Sequence, residues 1–325
     1  MKKFILALLP PILMACGGSQ KSTTTPNVTT TQDRPATVGP TFQADSAYEF
    51  CRQQCSFGPR TMNSPAHEAC AQWIVKQFQQ YGLDVIEQRA TLNAFDGTPL
   101  LANNIIAMHR PDAQKRILVC AHWDSRPWAD NDPNPDNHRK PVMAANDGAS
   151  GVAVMLELAR LAAADSLATG IDFICFDAED WGTDGNESSW ALGAQHWAAN
   201  PHRMGYRPRY AILLDMVGGQ KAHFYYELFS KSYAPQVVDR VWKAAEVVGC
   251  QDYFPKQDGG YITDDHLPVN QKAAIPCIDI IPYYPDCEQS SFGPTWHTVI
   301  DDMDHIDPAT LKAVGQTMVQ VLWSE

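Results

Sequence analysis

No lysine- and arginine-rich run occurs anywhere in the 325 residues, and the formal net charge is −12. That absence argues against nucleic acid as a partner and leaves the acidity to serve solubility. Long apolar runs are also missing. The one apolar stretch near the start, in MKKFILALLPPILMAC, is too short and too interrupted by proline to span a bilayer. There is no internal repeat and no second domain boundary. Close cysteine pairs are scarce as well. Of nine cysteines only Cys51 and Cys55 are neighbours, with no second close pair to complete a zinc site. The expectation is buried thiols with a disulfide or two, as an exported chain permits.

What is present begins with that N-terminus. Lys2 and Lys3, an apolar stretch and then small residues form a secretory signal. LMAC before GGS resembles a bacterial lipoprotein box. Residues 1–15 are thus expected to be a signal peptide and Cys16 the lipidated residue, with Gly17 pointing to the outer membrane. Residues 16–42, rich in Thr, Ser, Pro and Gly, cannot bury a core and read as a flexible tether. The expected location is the cell envelope, as a periplasmic lipoprotein and a monomer held to the membrane by lipid on Cys16.

Residues 43–325 have the composition of a globular domain, 45% hydrophobic and 19% charged over the whole chain. SPAHEACAQWIVKQFQQYG carries apolar residues at helical spacing and ends in Gly82. NNIIAMH and RILVCAH read as strands, GASGVAVMLELARLAAA as a helix, and IDFICFD and RYAILLDMVG as strands. APQVVDRVWKAAEVVG follows as a helix, IPCIDII as a strand, and DPATLKAVGQTMVQVLW as a helix capped by Asp307. The alternation predicts an α/β fold: a three-layer sandwich with a central, mostly parallel mixed sheet and helices on both faces.

In such sheets the ligand site lies beyond the carboxyl ends of the strands. His122 and Asp124 stand at one predicted strand end, Glu179 and Asp180 at another, and Asp215 at a third. Asp147 precedes a helix, and His297 lies in an irregular late stretch. Histidine and carboxylates with a vacant position suit a hydrolytic type of zinc site, and a carboxylate off the metal can move protons. FDAEDWG, residues 176–182, poses this division in small. Adjacent side chains of an extended chain point to opposite faces, so Glu179 and Asp180 are expected to do different things. The loop RPWADNDPNPDNHRKP, residues 126–141, lacks the spacing of a calcium loop and reads as a solvated rim.

AHWDSR, AANDGASG, FDAEDWG, LLDMVG and PTWHTVID resemble, in order, the motifs of the zinc aminopeptidase-like family. The resemblance runs from about residue 50 to the end and includes FGPRTMNSPAHEACAQWI. In that family's two-zinc peptidases it implies His122 and Asp215 on one ion, Asp180 and His297 on the other, Asp147 bridging, and Glu179 as general base. YITDDHLPV and PYYPDCEQSSFGPTWHT resemble more closely the glutaminyl cyclase branch, bacterial lipoproteins among them. That branch keeps the fold and uses one zinc. Carried over, Asp147, Asp180 and His297 hold the zinc and His122 stays without a metal. Glu179, Asp215 and Asp264 are catalytic, with Asp264 hydrogen-bonded to Asp215. Trp190, Phe292 and Trp296 line the substrate slot, with Trp181 the competing choice for Trp190. The implied reaction closes an N-terminal glutamine of a peptide or exported protein to pyroglutamate and releases ammonia. The chain departs from the animal enzymes at Asp180, where they have Glu, at Thr263, where they have Gln, and through WGTDGNESSW. The shorter ligand at 180 implies a metal closer to the backbone. A two-zinc aminopeptidase and an inactive surface-anchored binding protein on the same fold are the competing readings.

Overall fold

A computed structural model describes residues 36–165 and 167–325. The expected signal peptide, Cys16 and most of the expected tether lie outside those residues. The chain is packed before residue 43: Phe42 is fully buried, and its ring lies where a Cβ on Gly315 would fall. The Val38 amide donates to the Gln320 side chain.

Two helices open the domain, α1 (Ala44–Cys55) and α2 (Pro65–Gln80), the second capped by Ser64, which accepts from the His67 amide. Then follow β1 (Asp84–Asn93), β2 (Pro99–His109), β3 (Arg116–His122), α3 (Ala149–Ala164) and β4 (Gly170–Phe176). The chain continues through α4 (Leu192–Ala199), β5 (Ala211–Leu214), α5 (Leu228–Tyr233), α6 (Pro235–Val248), α7 (His266–Gln271), β6 (Cys277–Ile280) and α8 (Pro308–Trp323). Asp307 caps α8 as expected, accepting from the Ala309 amide.

The six strands form one sheet in the order β1-β2-β4-β3-β5-β6. β4, β3, β5 and β6 run parallel, while β1 and β2 add an antiparallel flank. β3 and β4 are buried along their whole length, so their sequences are continuous apolar runs rather than alternating ones. Their side chains still alternate in direction. Val119, Phe173 and Ile212 face a core built with α1, α2, α3, α6 and α8, whereas Cys120, Ile174 and Leu213 face Trp197 of α4 and Val269 of α7. Helices thus cover both faces, and the parallel strands all end at one edge. Among the described residues no helix is long and apolar enough to cross a membrane.

The expected disulfides are not formed. All eight described cysteines are free thiols, six of them buried and only Cys250 and Cys287 half-buried. Burial pushes the Cys70 thiol up to about 12, which keeps it protonated and unreactive. Of the eight described cysteines, native protein should therefore label with a thiol reagent at Cys250 and Cys287 alone, and the other six should react only on unfolding. A reductant should leave the melting temperature unchanged. Rapid native labelling of Cys70 or Cys175 by mass mapping is the contrary result.

Candidate active site

β3 ends on His122, β4 ends one residue before Asp177, and β5 ends just before Asp215. Parallel pairing therefore delivers all three segments to the same edge. Asp147 arrives from the turn ahead of α3. A Cβ on Gly148 would lie 2.6 Å from the His122 carbonyl oxygen and 2.7 Å from the ring, so only glycine lets that turn pass so close. The Asp301 carboxylate accepts from the amides of Asn146 (2.8 Å) and Asp147 (3.1 Å) and fixes the turn from the far end of the chain.

FDAEDWG is not an extended strand beyond Phe176. Ala178 has φ +53°, so the chain turns there. Asp124 holds the turn, one oxygen accepting from the Glu179 amide and the other from the Asp180 amide, both at 3.1 Å. The neighbouring carboxylates leave this cradle for different surroundings. Asp180 Oδ1 lies 3.1 Å from His297 Nε2, and Asp147 Oδ2 lies 3.7 Å from the same nitrogen. Glu179 instead lines a pocket of about 210 Å³. That is smaller than a typical drug-sized site and suits one side chain.

Ligand-capable atoms fall in two sets that share Asp147. One is Asp147, Asp180 and His297, and the other is His122, Asp147 and Asp215, each set lying within 4.8 Å. His122 Nε2 is 2.9 Å from Asp147 Oδ1 and 3.2 Å from Asp215 Oδ1. Both Asp180 oxygens and Asp215 Oδ1 are buried without a hydrogen-bond donor. Buried carboxylate oxygens left without donors are costly unless something else meets them. Imidazole and carboxylate donors around orphaned oxygens fit a zinc ion. A third set, Asp264, His266 and Asp279, is also buried, and its Asp264 lines the pocket. There Glu227 accepts from the Ile262 amide and lies 3.2 Å from His266 Nε2, which secures the segment carrying Ile262, Thr263 and Asp264.

The electrostatics follow from burial among like charges. Burial, then the charge of Asp264, pushes the Glu179 carboxyl well above the usual range. Burial and Asp215 raise Asp264 to about 7. Burial works against the His297 imidazolium, but Asp180 and Asp130 outweigh it and raise His297 to about 9.

All the residues expected at the site are brought together there. Trp190, Phe292 and Trp296 line the pocket with Glu179, Asp215 and Asp264. Trp296 stacks on the His297 ring with centroids 3.7 Å apart. Trp181 does not reach the pocket and packs edge-on against Trp128. A Cβ at Gly182 would lie 2.0 Å from Trp190 Cδ2, which explains the glycine that ends FDAEDWG. Two expectations are corrected. Asp264 makes no hydrogen bond to Asp215; its Oδ1 accepts from the Asp265 amide and its Oδ2 has no donor. The loop 126–141 is not simply a solvated rim, because Arg126 and Asp132 are buried. Asp132 accepts from the Val299 amide beside His297. Met216, Tyr261, Ile262, Thr263, Ile281, Asp184 and Glu187 also line the pocket; Met216 lies in LLDMVG and Tyr261 and Ile262 in YITDDHLPV, but none of these was expected as a pocket residue.

The profile of peptidase family M28 matches residues 104–322. The structure is similar to that of Bacteroides thetaiotaomicron glutaminyl cyclase bound to N-acetylhistamine. The two are 48% identical with a TM-score of 0.86, over 89% of this chain and 100% of that one. A leucine aminopeptidase precursor from the same organism is 47% identical with a TM-score of 0.86, at the same coverage. Among curated sequences, aminopeptidase YwaD of Bacillus subtilis is 28% identical over 73% of this chain. The match spans about half of that relative's length (48%).

Proposed function

The chain belongs to peptidase family M28, and we propose that it is a glutaminyl cyclase, converting N-terminal glutamine of peptides and proteins to pyroglutamate with release of ammonia. The observation that carries this is the small pocket lined by Trp190, Phe292 and Trp296 together with Glu179 and Asp264, and by Asp147 and His297 of the set Asp147, Asp180 and His297. A glutamine side chain fills such a slot, whereas a peptidase needs a groove past the scissile bond. The 48% identity to a glutaminyl cyclase supports the same reading.

Asp147, Asp180 and His297 would hold one zinc, which when bound polarises the γ-carboxamide carbonyl as a Lewis acid. The aromatic walls exclude water and orient the glutamine side chain. Glu179 takes the proton of the α-amine as its nitrogen bonds to the side-chain carboxamide carbon, Cδ. The same carboxyl then gives that proton to the side-chain amide nitrogen, the Cδ–N bond breaks, and ammonia leaves. Asp264, raised to about 7 by burial first and then by Asp215, is available in its protonated form near neutral pH and can hold the departing nitrogen. His122 stays hydrogen-bonded to Asp147, with Asp215 beside it, without a metal. Envelope anchoring through lipid on Cys16, exported proteins as substrates and a monomeric state belong to the same proposal, supported by the N-terminal sequence alone.

The intact set His122, Asp147 and Asp215 and the likeness to a leucine aminopeptidase precursor favour a second reading, a two-zinc aminopeptidase. Incubation with a Gln-initiated dipeptide and with Leu-amide separates the two. The expected result is ammonia and the matching mass loss from the Gln peptide, no leucine released, and one tightly bound zinc per chain. Two zincs with leucine release sink the cyclase reading.

Gly182→Ala tests the pocket wall. The new methyl must push the Trp190 ring aside, so KM for Gln peptides should rise roughly tenfold to a hundredfold, the scale of one disturbed apolar contact. Zinc content should not change. An unchanged KM would remove Trp190 from the substrate slot.

A further inference from the structure

Resting on the metal site proposed above, we infer that Asp130 is a positioning residue for His297, and that Arg126 ties it to the carboxylate ligand Asp180. His297 presents Nε2 to Asp180 and Asp147, the side on which an ion would lie. Its other nitrogen, Nδ1, faces Asp130 Oδ1 at 3.5 Å. The ring is stacked on Trp296 and lies 6.1 Å from Trp190 in a near-parallel plane. Stacking fixes the plane of an imidazole but not which edge points inward. A carboxylate at Nδ1 makes that choice: it keeps the proton on Nδ1 and leaves the Nε2 lone pair for a metal.

Asp130 is itself held in place. Arg126 donates Nε to its Oδ1 at 3.2 Å and Nη2 to its Oδ2 at 2.5 Å, a two-point grip that fixes the carboxylate plane. The third nitrogen of the same guanidinium donates to the carbonyls of Asp180 (3.1 Å) and Gly182 (2.8 Å). Its carbon sits 4.9 Å from the Trp190 ring centroid. One buried arginine therefore touches the turn that carries Asp180, the aromatic wall and the partner of His297. The surrounding loop grips the late segment too. The Asn131 amide donates to the His297 carbonyl at 3.1 Å and its side chain to the Trp296 carbonyl at 3.2 Å. His297 has φ +53°, a conformation that needs such external hold. Two ligands more than a hundred residues apart in sequence are thus set against each other by the segment 126–132.

The test is zinc affinity, read without turnover, so its outcome is independent of which reaction the site performs. Metal-free protein is titrated with zinc against a chromophoric chelator, and the zinc-loaded protein is labelled with ¹⁵N-histidine. Asp130→Asn should weaken zinc about tenfold to a hundredfold, the usual cost of losing a carboxylate behind a ligating histidine. It should also shift or abolish the His297 Nδ1–H signal. Asp136→Asn, in the same loop but exposed and away from the histidine, should match the parent. Zinc affinity of Asp130→Asn within about twofold of the parent, or an unmoved Nδ1–H signal, overturns the inference. Asp130 is 43% exposed on its side chain, so the variant should fold. Should it not, Asp130→Glu must bind zinc more tightly than Asp130→Ser, and equal affinities overturn the inference.

Discussion

Replacing Glu179 by Gln removes about 10²–10⁴-fold of the turnover, the contribution of a positioned proton shuttle, and leaves zinc binding intact. That loss corresponds to roughly 2.7–5.4 kcal/mol of barrier. The separation of effects is expected because Glu179 belongs to neither ligand set, while its side chain lines the pocket. The turn does not depend on this carboxylate either. The Glu179 and Asp180 amides donate to Asp124, and Ala191 donates its amide to the Glu179 carbonyl, contacts that glutamine leaves alone. Burial and Asp264 already disfavour charge at Glu179, so a neutral isostere should not lower the melting temperature. The measurement is kcat on a Gln dipeptide beside zinc content per chain. More than a tenth of parental kcat retained, or zinc lost along with activity, would remove Glu179 from the proton path.

The two neighbouring carboxylates show what the sequence could and could not carry. Their separate duties follow from adjacency, yet the alternation of an extended strand is not the mechanism. β4 stops at Phe176, and the positive φ of Ala178 with the Asp124 cradle sends them apart. The parallel strands were legible because burial on both faces writes them as apolar runs. β1 was not, because its residues are only half-buried or exposed and show no apolar run. α1 escaped notice for a related reason. Its buried face is Ala47, Cys51, Gln54 and Cys55, correctly spaced for a helix but small or polar. In the site, residues attached to strand ends could be located from the chain alone. Asp130, Asp301, Glu227 and Asp279 could not. Each lies against residues of another segment, and no spacing records a proximity made only by folding. Arg126 sat in a loop whose Pro, Asn and Asp content signals solvent exposure, and the composition concealed that it folds back under the FDAEDWG turn.

Asp180→Asn should abolish tight zinc binding and turnover while leaving the zinc-free protein as stable as its parent. The first half follows from the ligand geometry. Asp180 is one of three donors in its set, and a neutral amide is a poor substitute for an anionic oxygen on Zn²⁺. The second half follows from what Asp180 meets when no ion is present. Both its oxygens are buried without a hydrogen-bond donor. Burial first, and then the neighbouring Asp147, push its carboxyl above the usual range. Its favourable neighbours are His297, which also has Asp130 and, further off, Asp147, and Arg126, whose Nη1 lies 3.8 Å from Asp180 Oδ1 and which Asp130 already grips. Removing the charge therefore relieves repulsion about as much as it loses attraction, and the zinc-free melting temperatures should agree to within the equivalent of about 1 kcal/mol. The contrast appears on adding zinc. At a thousandfold excess over its dissociation constant an ion bound only by the folded state stabilises by about 4 kcal/mol. The parent should gain a clear rise in melting temperature and Asp180→Asn none. A structural carboxylate would behave in the opposite way, with the variant melting lower in the absence of zinc and still responding when it is added. That pattern in a paired melting experiment would take Asp180 out of the metal site.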